Sequence, residues 1–232
     1  MKKLGMVGGM GPESTLSYYR DIVFGVNARV GADVFPHVAI ESLSVFYIQQ
    51  LIREERMAEL TDYLMGAITN LARCGADFVV LTANTAHIVF DRLQEQSPVP
   101  LISIVDATCR HAVRQGYRRL GLLGTCFTME RDFFKEPFRR HGIEIVVPEA
   151  ADRELVNQRI STELEFGVIK EETLAEFQQI IERMRARDGI EGVILGCTEL
   201  PLLLNDGNMP LPCLDTVKIH VEEIIREIMK RS

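Results

Sequence analysis

Apolar residues along the chain fall into two alternating patterns. Short solid runs recur: Phe78-Val79-Val80-Leu81, Leu120-Gly121-Leu122-Leu123 and Val193-Ile194-Leu195. Strands covered by helices on both faces look like this, because neither face meets water. The pattern predicts strands at Lys3–Val7, Val38–Glu41, Phe78–Leu81, Leu101–Ile104, Leu120–Leu123, Glu144–Val147, Gly192–Leu195 and Leu211–Leu214. Longer stretches between them, such as Arg56–Arg73 and Glu172–Ala186, carry the helical period. Strand and helix in alternation define an α/β fold with parallel sheets.

The chain also repeats itself. A strand ends in a glycine turn at Gly8 in GMVGGMGPEST and again at Gly124 in LGLLGTCFTME. A second strand ends in a small polar turn at Ala83 in ADFVVLTANTAH and again at Cys197 in IEGVILGCTEL. The two loop pairs have similar internal spacing, as two related α/β units would give. The plain alternative is that every parallel strand ends in a small polar turn. On the repeat reading, Ala83 and Cys197 line opposite walls of one cleft. The expected boundaries are 1–98 with 214–232 for an N-terminal α/β subdomain and 99–213 for a C-terminal one.

Composition narrows the function. The 232 residues are 47% hydrophobic and 25% charged, as in an ordinary globular protein. A formal net charge of −7 argues against nucleic acid, which basic patches hold. No apolar run approaches a membrane span, and the apolar stretch after Lys2 and Lys3 is broken by glycines and reaches Glu13 without a cleavage-type segment. The expected location is the cytoplasm, with no membrane partner. Five widely spaced cysteines and five scattered histidines disfavour a disulfide framework and a metal site. Cys74, Cys109 and Cys213 read as small buried hydrophobes, and Cys126 as packed rather than reactive.

Four turns carry candidate chemistry. GGMGP, Gly8 to Pro12, is a near miss to a dinucleotide turn, with Ser14 where the third glycine belongs. Its simpler meaning is a tight turn with free N–H groups before a helix that opens at Pro12, suited to an anion such as a carboxylate. Close packing alone stands beside that reading. In GCTE, Cys197 ends a strand just before an expected helix, whose N-terminus would lower the thiol pKa towards thiolate. A buried packing cysteine is the alternative. Gly196 allows close approach, Thr198 adds a hydroxyl, and Glu199 orients the loop or caps the helix. Asn84 and Thr85 in NTAH suit a carboxylate, or else cap a helix. His87 reads as a structural hydrogen-bonding residue on the first helical turn. Thr125 and Thr128 in GTCFT suit the same carboxylate, with Thr128 equally an ordinary N-cap.

These residues resemble one family, the cofactor-independent aspartate/glutamate racemases. GMVGGMGPEST, ANTAH, LLGTCFTME, GCTEL and LPCLDT stand in the family's order over nearly the whole chain. The resemblance implies two similar parallel-sheet α/β subdomains related by a pseudo-twofold axis, an active-site cleft between them, and a homodimer. It implies a two-base mechanism without pyridoxal phosphate or any other cofactor. One thiolate takes the Cα proton and an opposite thiol returns one. On this chain Cys197 is the second-half thiol. Gly9, Met10, Asn84, Thr85, Thr125, Thr128 and Thr198 match the substrate-binding loops, with His87 and Glu199 in support. Ala83 occupies the position of the first thiol. Aspartate-selective members carry an Arg and a Lys for the side-chain carboxylate, where this chain has Gln49 or Gln50, and Glu165, with Arg53 nearby.

The expected function is therefore amino-acid racemisation with Cys197 as one acid/base, on a small amino-acid or carboxylate substrate. Ala83 leaves four explanations standing: a one-thiol enzyme, a binding-only relative, an engineered replacement, or an isomerase or lyase that uses Cys197 alone as a nucleophile.

Overall fold

The computed structural model describes residues 1–31 and 33–230. Positions 32, 231 and 232, which the expected N-terminal subdomain includes, lie outside the described residues. The chain divides into two compact units. Unit 1 holds Met1–Ile104 and the residues from His220 onward; unit 2 holds Val105–Ile219.

Unit 1 contains a four-stranded sheet in the order β2-β1-β3-β4, with β1 at Leu4–Gly8, β2 at Val38–Ser42, β3 at Phe78–Leu81 and β4 at Leu101–Ile102. All three pairings are parallel. The solid apolar reading of β3 holds, because all four of its residues are buried. Helices α1 (Pro12–Val30), α2 (Val45–Arg53), α3 (Met57–Arg73) and α4 (Phe90–Gln96) connect or flank these strands. Helix α1 opens on Pro12, whose missing N–H is no loss in a first turn. It buries Tyr18, Ile22 and Val26 at helical spacing. Helix α3 does the same with Leu60, Leu64, Ile68 and Leu71. Each such side chain contributes roughly 1.5–3 kcal/mol on burial.

Unit 2 repeats the plan in the order β6-β5-β7-β8, again all parallel. Its strands are β5 (Arg119–Leu123), β6 (Glu144–Val146), β7 (Val193–Leu195) and β8 (Cys213–Asp215). Its helices are α5 (Ile104–Gln115), which starts at the boundary, α6 (Cys126–Glu130), α7 (Lys135–Arg140), α8 (Ala150–Thr162) and α9 (Glu171–Asp188). Phe134, Phe138, Val156, Phe177 and Ile180 fill the core. Helix α10 (Thr216–Ile228) begins in unit 2 and returns the chain to unit 1. There Ile224 and Ile228 are buried, and the Tyr18 hydroxyl lies 2.9 Å from His220 Nδ1. No helix among the described residues is long and apolar enough to cross a membrane.

The cysteines depart from expectation at one position. Cys109 is buried and Cys213 half-buried, but Cys74 is exposed. On paper Cys74 continues the stripe of Leu64, Ala67 and Leu71. The helix stops at Arg73, and the turn through Gly75, with φ +81°, carries the thiol to the surface.

Candidate functional site

On unit 1 the candidate residues lie at the carboxyl ends of β1 and β3. These strands are neighbours, so their loops emerge side by side. Gly9 has φ +80°, and a Cβ there would stand 2.2 Å from the Leu43 carbonyl oxygen. Only glycine fits that turn. Its N–H is not free, as the sequence suggested, but donates to Thr15 Oγ1 at 2.9 Å. The Thr15 hydroxyl also lies 3.2 Å from that of Thr82, and Ser14 donates to the Thr82 carbonyl at 3.0 Å. The Glu-Ser-Thr that follows Pro12 thus ties the two loops together. Met10 is half-buried beside them.

Ala83 and Asn84 are both buried at the end of β3, and Thr85 opens a short 3-10 helix, Thr85–Val89. The Asn84 side chain does not cap that helix. His87 is buried, with Nδ1 2.9 Å from the Ala83 carbonyl oxygen. The Ile104 N–H points at Nε2, 3.3 Å away. That ring nitrogen must accept, so Nδ1 carries the proton and donates to Ala83. The ring stacks on Phe90 at 4.9 Å. Burial holds its pKa down at about 4, so the imidazole is neutral and fixes the Ala83 backbone.

Unit 2 carries its own candidate residues, at the carboxyl ends of the neighbouring strands β5 and β7. Thr125, rather than Thr128, caps α6: its side chain accepts the Thr128 N–H, and the two hydroxyls are 3.2 Å apart. Cys126 is half-buried, with its N–H on Asn157 Oδ1 at 2.9 Å. Gly196 lets β7 end against β5, since a Cβ there would sit 2.9 Å from the Leu123 carbonyl oxygen.

Cys197, Thr198 and Glu199 follow. The Cys197 thiol donates to Glu199 Oε2 at 2.9 Å, and the Thr198 hydroxyl donates to Oε1 at 2.8 Å. The expected lowering of the thiol pKa is not what the structure gives. Burial first, then the Glu199 carboxylate, push the Cys197 thiol well above its usual value. The expected helix is absent: after a turn comes only the 3-10 segment Leu200–Leu202, too short for a macrodipole. Thiol, not thiolate, is the resting form of Cys197.

Sequence reasoning did not assign Glu165 a role beyond its alignment position. It lies in a 3-10 turn, Leu164–Phe166, between α8 and α9. Burial and the charge of Glu199 raise its pKa, and its own charge acts on the Cys197 thiol. No spacing rule links residues 165 and 199, so local pattern could not have paired them.

Each of the two parallel α/β units presents small polar loops at the carboxyl ends of adjacent central strands, the place where open α/β sheets bind their ligands. The chain belongs to the Asp/Glu/Hydantoin racemase family, whose model matches residues 7–224. It is similar to the broad specificity amino-acid racemase RacX of Bacillus subtilis, with 25% identity over 217 residues and 92% of each chain covered. A crystal structure of an aspartate racemase homologue from Pyrococcus horikoshii superposes with a TM-score of 0.87 at 36% identity, covering 99% of this chain and 100% of that one. The Picrophilus torridus aspartate racemase shares the fold, with a TM-score of 0.80 at 20% identity over 100% and 96% of the two chains. These relatives support an isomerase of the racemase class.

Proposed function

We propose that this chain acts on the Cα–H bond of a free amino acid, with Cys197 as its one thiol acid/base. The observation that carries the reading is the hydrogen bond from the Cys197 thiol to Glu199 at the carboxyl end of β7. Glu199 accepts the thiol's hydrogen bond and is the group placed to take its proton; that transfer is uphill at rest, and the thiolate it forms takes the Cα proton. The electron pair left on Cα is delocalised into the substrate carboxylate. The same thiol then returns a proton to the same face. Met10, Asn84, Thr85, Thr125, Thr128 and Thr198 hold the substrate's carboxylate and amino groups, Gly9 shapes the turn that presents Met10, and His87 keeps the Ala83 loop in place. Ala83 stands where the first thiol of a two-base racemase belongs, and a methyl group cannot move a proton.

The expected behaviour follows from that asymmetry. In deuterium oxide the chain exchanges Cα–H in one enantiomer and inverts it poorly. Ala83→Cys gains inversion of both enantiomers, read by chiral chromatography. Cys197→Ser loses exchange, because a hydroxyl is a far weaker acid than a thiol. Rapid racemisation by the unaltered chain would overturn the one-thiol reading.

The protonated resting thiol also favours a second reading, a binding-only relative. In that case an amino acid raises the thermal midpoint by mass action without Cα exchange. We further propose a cytoplasmic homodimer; light scattering that gives a monomer at micromolar concentration rejects the assembly.

A further inference from the structure

Helix α1 is apolar on both of its faces. The inner face buries Tyr18, Ile22 and Val26. The outer face carries a ridge of residues four apart, Leu16, Arg20, Phe24 and Ala28, all exposed. Tyr19 flanks Leu16 on the next turn. The Phe24 ring meets the Phe35 ring edge-on at 6.0 Å, which carries the patch onto the loop before β2. Helix α3 of the same unit shows what a solvated outer face looks like. Its exposed positions are Ala58, Glu59, Asp62, Gly66, Asn70 and Arg73. A helix that is apolar all round belongs inside a larger structure.

The size of the patch and its charges say what covers it. Leu16 is 62% exposed, Tyr19 46%, Phe24 60% and Phe35 54%. An aromatic side chain presents roughly 150–250 Å², so the four leave on the order of 400 Å² of apolar surface open. Each partner in a standard interface gives about 800 Å², somewhat over half of it apolar. The patch with its polar rim is therefore the right size for one side of a stable dimer. The ridge is also its own complement. It reads apolar, cationic, apolar about Arg20, and Arg20 lies 3.0 Å from the neighbouring Asp21 carboxylate. A half-turn about Arg20 sets Leu16 of one copy against Phe24 of the other. It also brings the two Arg20–Asp21 pairs together, so that each guanidinium reaches the partner's carboxylate as well as its own. A lipid surface fits less well, because a membrane-seated helix is flanked by cations and this chain carries a net charge of −7.

Resting on the homodimer proposed above, we propose that the outer face of α1, with Phe35, is the surface on which a second copy of this chain docks, α1 packing antiparallel on α1 about a twofold axis at Arg20. Such a contact is isologous, and every side chain in it counts twice.

The test follows self-association of the whole chain by sedimentation velocity over a concentration series, and of mixtures by native mass spectrometry. The parent is expected to be a dimer at micromolar concentration. Phe24→Asp, at an exposed position, should keep the parent's circular dichroism and raise the dimer Kd at least about a hundredfold. Arg20→Asp sets four carboxylates about the axis, and Asp21→Arg four guanidiniums, so each alone should raise Kd about tenfold or more. Mixed, the two charge variants should form a heterodimer in preference to either homodimer, since each then meets the opposite charge. A dimer whose Kd is untouched by Phe24→Asp would remove this surface and leave the homodimer itself standing. A monomeric parent would remove both, whether the face then took up lipid vesicles or another protein. Charge variants that dissociate yet form no heterodimer on mixing would overturn the antiparallel arrangement, as would a dimer indifferent to both charge changes.

Discussion

His87 makes the stability of unit 1 depend on pH between about 4 and 6.5. Its folded pKa is about 4 against an ordinary 6.5, because the ring is buried and its Nε2 faces the Ile104 N–H. Protonation would put a charge in the core and a second N–H against that donor. Between those two values the unfolded chain binds the extra proton and the folded chain does not. Stability is therefore complete above pH 6.5 and is lost as the pH falls towards 4. Across the full window the effect is about 3 kcal/mol, at roughly 1.4 kcal/mol for each pKa unit. From pH 7 to pH 5 it is about 2 kcal/mol, a large part of a marginal stability. The assay is urea unfolding at the two pH values, followed by tyrosine fluorescence. Tyr18, Tyr19, Tyr47 and Tyr63 belong to unit 1 and only Tyr117 to unit 2, so the signal reports mainly on unit 1. The comparison is with His87→Gln, which has no group that titrates there. Whatever Gln costs at pH 7, the variant should lose about 2 kcal/mol less than the parent on going to pH 5. Titrations elsewhere cancel in the difference. Parallel pH profiles for the two proteins would refute a neutral, buried His87.

Three further outcomes are expected. Gly9→Ala should lower stability by about 3 kcal/mol, since it adds a Cβ at positive φ against the Leu43 backbone; a thermal midpoint within a degree of the parent would contradict the turn geometry. Glu163→Gln should cost about 2 kcal/mol at neutral pH. That gap should narrow as the pH falls below 4.5 towards 2, where the parent's own carboxylate takes up its proton, and chemical unfolding at several pH values reads it. Maleimide labelling followed by mass spectrometry at neutral pH should modify the exposed Cys74 first. Cys109 and Cys213, whose thiols burial pushes up to about 11 and about 12, should label last, and early labelling of either contradicts its packing.

The strands were legible because solid apolar runs have one economical home, a sheet covered on both faces. All eight expected strands are present, with ends shifted by a residue or two. Helix α3 was equally plain from its stripe of Leu60, Leu64, Ile68 and Leu71. The electrostatics at Cys197 were not legible in that way. A strand-to-helix turn predicts a lowered thiol pKa, and this rests on a helix that the chain does not form. The warning lay in the next residues: Pro201 and the turn-forming Asn205-Asp206-Gly207 leave no room for a full helix. The influence of the Glu199 charge on Glu165 is likewise long-range in sequence, which a one-dimensional pattern does not encode. Cys74 shows the same limit at short range, since helical phase alone cannot say that the helix has ended one residue earlier.

The return of the chain to unit 1 at His220 bears on the order of synthesis. Unit 2 is one continuous stretch, so all of it has left the ribosome before unit 1 is complete. The first 104 residues must wait, without Ile224, Ile225 and Ile228 in their core and without the imidazole that meets Tyr18. A nascent chain of this protein therefore carries an N-terminal sheet whose four strands are all made but whose last helix is still to come. The residue order that completes unit 1 last leaves the apolar surface that meets Ile224, Ile225 and Ile228 open to chaperones for the whole of that interval.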